Sequence, residues 1–390
     1  MFLPVLLVRD YGVWGFVVFA VPNVIGAGAM GWVVSDRKRA ARLIQLHARA
    51  LTAFAAVTAV FQAFFLVWIL TAVGDAFTRP GPWATPTPWW INQAVNGAIV
   101  LIVLYFAPRA NGPRTLASLL WIASAGAAAY LLTTGQLDLG LSRIAGPLSG
   151  PADLAMLAPV VVFGFLLCPY LDPTFLRAAA SQTPAGNRAS FSLGFGVLFL
   201  AMIVFTLGYA WALMPVATGT PAGVPPPALM GIVLVHMILQ LAFTAWVQAR
   251  EGTAASRAGG AGGSARAAVL LACIAVLAAL VWVISARALP SHAGLTGGEV
   301  VYRCFMSFYG LVFPAYVWIC MIPTRDGHSG IAGPRGQWKL LVLSGAVVLA
   351  APCYWIGFIE RVEWWLLPGL AVVLLSRVVV MMPRGGARGG

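Results

Sequence analysis

Apolar runs about as long as a bilayer is thick recur along nearly the whole chain, and they leave few folds open. A hydrocarbon core of about 30 Å needs about 20 helical residues to cross it. Runs of that kind lie near 11–34, 51–73, 91–108, 116–133, 154–174, 191–214, 227–248, 268–285, 300–322, 340–358 and 364–382. Lipid offers no partner to an exposed amide or carbonyl, so each run must satisfy its backbone internally as a helix. A transmembrane β-barrel would need ten-residue strands of alternating polarity, which the sequence lacks. The expected fold is all-α: a polytopic transmembrane helix bundle of about eleven spans (10–12), forming one integral membrane domain over 1–390.

Composition excludes the soluble alternative. The 390 residues are 61% hydrophobic and 9% charged, against roughly 25% charged in a soluble domain. The net charge of +13 would suggest nucleic acid in a soluble protein. Here the basic residues sit in short loops between apolar runs, with no patch interleaved with exposed aromatics, so no nucleic-acid partner is expected. They suit anionic lipid headgroups instead. Cys168, Cys273, Cys304, Cys320 and Cys353 all fall in apolar runs without a CxxC or Cys/His cluster. Neither a disulfide framework nor a metal site is expected, and no cofactor.

Loop charge sets an orientation. Alternate connections carry Arg37, Lys38, Arg39, Arg42 and Arg49; Arg109 and Arg114; Arg177 and Arg188; Arg250, Arg257 and Arg266; Arg325, Arg335 and Lys339; Arg384 and Arg388. The other side has only Arg9, Arg79, Arg143, Arg287 and Arg361. Basic residues stay in the cytoplasm, which places the amino terminus outside and the carboxyl terminus inside. The Ala, Gly and Arg bias, with only two lysines, points to a bacterial inner membrane. The basic residues of the first run follow it instead of preceding it, so it reads as an uncleaved span.

Residues 35–50 read as a cytoplasmic amphipathic helix, with Leu43, Ile44 and Leu46 towards lipid and the arginines towards water. Residues 252–266, rich in Gly, Ala and Ser, read as a flexible cytoplasmic linker, and 383–390 as a disordered tail. The outer connections GPWATPTPWW (81–90) and PVATGTPAGVPPP (215–227) carry Pro and headgroup-belt Trp.

Two runs should break. In FVVFAVPNVIGAGAMGWVV, Pro22 lacks an amide proton and clashes with the carbonyl of Val18. Asn23 follows, and Gly26, Gly28 and Gly31 loosen the next turns. Such a break can hold an ion or polar solute; the plainer alternative is a kink beside a small-residue packing face. In APVVVFGFLLCPYLDPTFLRA, Pro169 frees the carbonyl of Phe165, and Asp172–Pro173 is a good helix start. The chain should unwind across 168–172, leaving Asp172 as a cap or as a cation- or proton-carrying carboxylate.

His236 and Gln240, spaced i, i+4, share one helix face at mid-membrane, either as a site or as an interhelical hydrogen-bonding pair. Arg303 lies about one turn inside its run, either snorkelling outward or paired with Glu299, Glu360 or Glu363.

The run PNVIGAGAMGW resembles the first broken helix of the amino-acid/polyamine/organocation transporters and their LeuT-fold relatives, including the sodium:solute symporters. GFLLCPYLDPTF looks like the second broken helix of that architecture. The resemblance covers about 50 residues and implies a Gly-rich unwound turn that holds substrate, often with a coupling ion. Two departures are visible. The two broken runs are four apart and parallel here, where the inverted repeat needs five apart and antiparallel; GFG at 194–196 lies in a run of opposite direction.

The leading expectation is a secondary transporter or permease for a small polar solute, bound near Asn23, Gly26, Gly28 and Asp172, with His236, Gln240 or Arg303 as partners. Coupling to Na+ or H+ would be an addition to that. The alternative is a sensory or scaffold membrane protein that transports nothing. No GxSxG, HExxH or pair of intramembrane aspartates supports an enzyme.

Overall fold

The computed structural model describes residues 2–78, 113–137, 148–218, 227–258, 292–323, 330–331 and 333–382. Its helices are α1 (Leu3–Val33), α2 (Arg37–Leu46), α3 (Ala48–Thr78), α4 (Pro113–Thr133), α5 (Pro151–Leu167), α6 (Pro173–Ser181), α7 (Pro184–Leu193), α8 (Leu200–Thr218), α9 (Pro227–Ala258), α10 (Gly297–Ser307), α11 (Phe313–Tyr316), α12 (Gly333–Phe358) and α13 (Leu366–Met381). No strand occurs among the described residues. Wider π turns at Gly194–Phe199, Phe308–Val312 and Val317–Met321 continue the helices they adjoin.

Nine helical stretches among the described residues are long and apolar enough to cross a membrane. Their outward faces fit lipid and not water: Val348 is 70% exposed, Leu349 68% and Leu375 64%, and soluble surfaces do not gather apolar side chains in this way. The chain is a multi-pass, all-α membrane protein. The expected spans at 91–108 and 268–285, and the tail at 383–390, lie outside the described residues.

Contacts sort the connections into two ends. Ser149 N–H donates to Asp10 O at 2.8 Å, Arg361 Nη2 to Ser149 Oγ at 3.2 Å, and His292 Nε2 lies 2.7 Å from Glu360 Oε1. The bond to His292 holds the exposed Glu360 carboxyl below the usual carboxylate range. At the opposite end Asn187 Nδ2 donates to Ser35 O at 3.1 Å, and Arg177 pairs with Glu251 at 2.5 Å. These are the groupings that the charge alternation assigned to opposite sides of the bilayer.

Helix α1 is interrupted, but at Gly12 and not at Pro22. Gly12 has φ +67° and ψ −155°, a conformation essentially confined to glycine. The short leg before it is buried, with Val5 and Val8 fully enclosed. From there α1 stays helical through Pro22 and Asn23 to Val33. Membrane helices tolerate proline where neighbours and small local adjustments satisfy the freed carbonyl. The second expected interruption is where the sequence placed it: a 3₁₀ turn over Cys168–Leu171 ends α5, and Asp172 caps α6, with Pro173 as its first residue.

Two other expectations are corrected. Residues 252–258 of the expected linker belong to α9; a side chain at Gly252 would meet Ala55 Cβ at 2.7 Å, so close packing on α3 holds this stretch helical. Residues 259–266 lie outside the described residues. Leu43 and Ile44 of α2 are half-buried against the protein core, because α2 lies on α6 and α3.

Helices α1 and α5 run side by side in the same direction. Asp10 neighbours Ser149, and Gly26 meets the Phe165 carbonyl sixteen residues further along each helix. Gly31 abuts Asn187, and Gly164 abuts the Tyr309 backbone. Small residues let these backbones approach closely, which is how helices gain packing energy where lipid removes the hydrophobic driving force.

Candidate functional site

Between α1, α5, residues 302–310 and the end of α12 lies a cavity of about 240 Å³. Its walls are mostly apolar and aromatic, including Phe54, Phe165, Tyr302 and Tyr309. Its polar groups fall at two ends and on one wall: Asp10, Arg303 and Glu363; Asp172 and Cys168; and Asn23.

The first end is built by the leg before Gly12, which drives Arg9 and Asp10 into the protein. Arg9 is 7% exposed, Asp10 2% and Glu299 0%. Arg9 grips Glu299 through both terminal nitrogens, Nη1 to Oε2 at 2.8 Å and Nη2 to Oε1 at 2.7 Å. This bidentate geometry is the strong form of the interaction. Arg9 Nε donates to Asp10 Oδ1 at 2.7 Å. Arg303 Nη2 donates to Asp10 Oδ2 at 2.7 Å, and its Nε to Glu299 Oε1 at 2.9 Å. Arg303 Nη1 takes the Phe358 carbonyl at 3.0 Å. Arg361, in a left-handed conformation at φ +60°, brings Nη2 to 3.6 Å from Asp10 Oδ1. Tyr11 OH donates to Glu363 Oε1 at 2.6 Å. Three guanidiniums thus meet the two carboxylates of Asp10 and Glu299, while Tyr11 holds Glu363; Asp10, Arg303 and Glu363 line the cavity at this end.

The other end is the helix interruption. Asp172 Oδ1 accepts from Thr174 N–H at 2.8 Å and from Thr174 Oγ1 at 2.6 Å, and Oδ2 accepts from Gln248 Nε2 at 3.0 Å. These donors are neutral, and among the described residues no basic side chain pairs with this carboxylate. Cys168 Sγ donates to Tyr309 O at 3.2 Å, and Tyr309 OH lies 2.8 Å from Thr58 Oγ1. This network ties the interruption to the π turn at Phe308–Val312; such turns recur at functional positions.

Three of the expected site residues, Asn23, Asp172 and Arg303, line this one cavity. Arg303 neither snorkels nor reaches Glu360; it pairs with Glu299, as one expectation had it, and with Asp10. Gly26 and Gly28 do not unwind. Gly26 is a contact against α5, and Gly28 faces Phe191 and Phe195 at ordinary distances. His236 and Gln240 stand apart from the cavity. His236 Nδ1 lies 3.0 Å from Ser124 Oγ, and Gln240 Nε2 donates to the same oxygen at 3.0 Å. Their shared face is an interhelical bond to α4. Ser124→Ala removes both contacts and is expected to cost about 1 kcal/mol, read from the thermal unfolding midpoint in detergent.

No family model, curated protein or solved structure matches the chain. The functional argument therefore rests on the residues themselves. Sequence reading passed over Arg9, which counted only as an outer-loop charge, and Asp10 and Tyr309. The available signal was an adjacent Arg–Asp pair after the apolar run Leu3–Val8. Charges in that setting demand buried partners.

Proposed function

We propose that this protein is a secondary transporter for a small polar solute, bound in the cavity between Asn23 and Asp172. It would lie in a bacterial inner membrane with the Arg9 end outside and the Arg37 end in the cytoplasm, as the loop charges favour. The observation that carries the reading is Asp172: a carboxylate at a helix interruption, lining the cavity, held by neutral donors and by no described cation. Intramembrane and interfacial carboxylates of this kind mark solute and ion paths. Asn23 adds a donor and an acceptor on the opposite wall, and the aromatic walls hold the apolar part of a solute.

The ion-pair lattice serves as the outer closure in this reading. Transport proceeds by rocking of one helix group against another about the cavity. Asp172 is the residue to which a coupling H+ or Na+ would bind. The likeness of residues 164–175 to a broken transporter core helix points the same way.

The test is solute binding and uptake in proteoliposomes across a solute panel, with and without sodium and pH gradients. Asp172→Asn and Asn23→Ala are expected to weaken binding of the solute found by about tenfold or more, while Ser124→Ala leaves it unchanged. Unaltered binding in both cavity variants would remove the cavity as the site. Folded wild type that takes up no solute would favour the sensory or scaffold alternative.

A further inference from the structure

A second recess, of about 780 Å³, opens at the Arg37 end between α2, the last turns of α1, residues 166–170 and residues 317–323. Its two sides differ in chemistry. One rim carries Lys38, Arg39 and Arg42, all exposed. Lys38 and Arg42 are one helical turn apart, so three cations crowd a short stretch of rim. The one carboxylate lining the recess, Asp36, is engaged as the cap of α2, accepting from Lys38 N–H at 3.1 Å. No ion pair joins these three cations to a described acidic side chain. The inner walls are apolar, with Leu46, Leu167 and Met321. Val33 is 44% exposed at the edge, so the wall continues onto the lipid-facing surface.

The depth is set by the chain. α2 begins four residues after α1 ends, so its cations stand at headgroup level while the walls beneath them stand among acyl chains. A soluble anion would use the cations and leave the apolar walls unfilled; a zwitterionic lipid would fill the walls and leave three charges without a net counter-charge. We propose that this recess binds an anionic phospholipid of the leaflet at the Arg37 end. The phosphate lies on Lys38, Arg39 and Arg42, with an acyl chain along Leu46, Leu167 and Met321. The inference is independent of transport. The recess also borders Gly26 and Tyr170, so the bound lipid bridges α2 to both α1 and the interruption after α5.

The test uses the full chain in detergent, with native mass spectrometry reading lipid adducts. Phosphatidylglycerol and phosphatidylcholine of identical acyl chains are compared, with inorganic phosphate as competitor. Expected are phosphatidylglycerol adducts that weaken with added salt and that resist phosphate. The triple variant Lys38→Gln/Arg39→Gln/Arg42→Gln should bind this lipid at least about tenfold more weakly, and Arg114→Gln, remote from the recess, should not. A photoreactive phosphatidylglycerol on wild-type protein should crosslink within 33–46, which keeps the idea testable where the triple variant fails to fold. Equal binding of the two lipids, full retention in the triple variant, displacement by phosphate, or crosslinks confined elsewhere would each overturn the proposal.

Discussion

Glu299→Gln should lower stability by about 3–5 kcal/mol, the cost of removing one partner from a buried ion pair. The glutamate is fully buried and accepts from Arg9 Nη1, Arg9 Nη2 and Arg303 Nε. Glutamine leaves one acceptor oxygen and turns an amide NH2 donor towards guanidinium donors. Arg9 and Arg303 then keep Asp10 as the carboxylate they share. The measurement is thermal unfolding in detergent, with Glu360→Gln as the comparison. Glu360 is a surface residue whose bond to His292 lies in solvent, and pairs of that kind contribute little. A large fall for Glu299→Gln beside a negligible one for Glu360→Gln is the expected pattern. Equal small shifts would mean that the lattice holds the Arg9 end no better than a surface pair does.

The second large effect is expected at Gly26. A Cβ there would lie 2.1 Å from Phe165 O and 2.9 Å from Leu166 Cα. Both are backbone atoms, so the clash is relieved only by moving α1 off α5. Overpacking of this kind costs about 1–3 kcal/mol, and Gly26→Ala should lie at the upper end because no flexible side chain gives way. Gly28→Ala is the control. Its nearest neighbours would be Phe191 O at 3.9 Å and Phe195 Cβ at 4.0 Å. It should be neutral, or stabilising by up to about 1 kcal/mol through helix propensity. Similar destabilisation in both variants would return the pair to the role of a loosened, solute-holding turn. The contrast also bears on the cavity, since Asn23 lies one turn from Gly26 and moves with it.

The cavity was half legible before the fold was known. Asp172–Pro173 announces a helix start by local chemistry, because proline cannot continue the preceding ladder and aspartate caps the next one. That signal needs no tertiary partner. Pro22–Asn23 sends the same local signal, yet the helix continues, because whether a freed carbonyl opens a turn depends on the neighbours around it. The actual interruption uses Gly12, one of 42 glycines. Nothing local marks which of them will adopt a positive φ. His236 and Gln240 illustrate the same limit: their i, i+4 spacing fixed a common face, while the partner, Ser124, lies more than a hundred residues away.

What the sequence by itself determined is therefore one-dimensional: multiple apolar helices set by bilayer thickness, the alternation of basic connections, and the helix restart at Asp172. What only the tertiary structure decided is every pairing across the chain. Arg9 meets Glu299 across 290 residues, Gly26 meets Phe165, and α2 packs on α6 and α3. Length, periodicity and capping are properties of a few neighbouring residues, so the local order of residues can express them. A buried charge or an absent side chain states only that a partner must exist. Its identity follows from which helices pack together, and that is settled by the shape of the whole bundle.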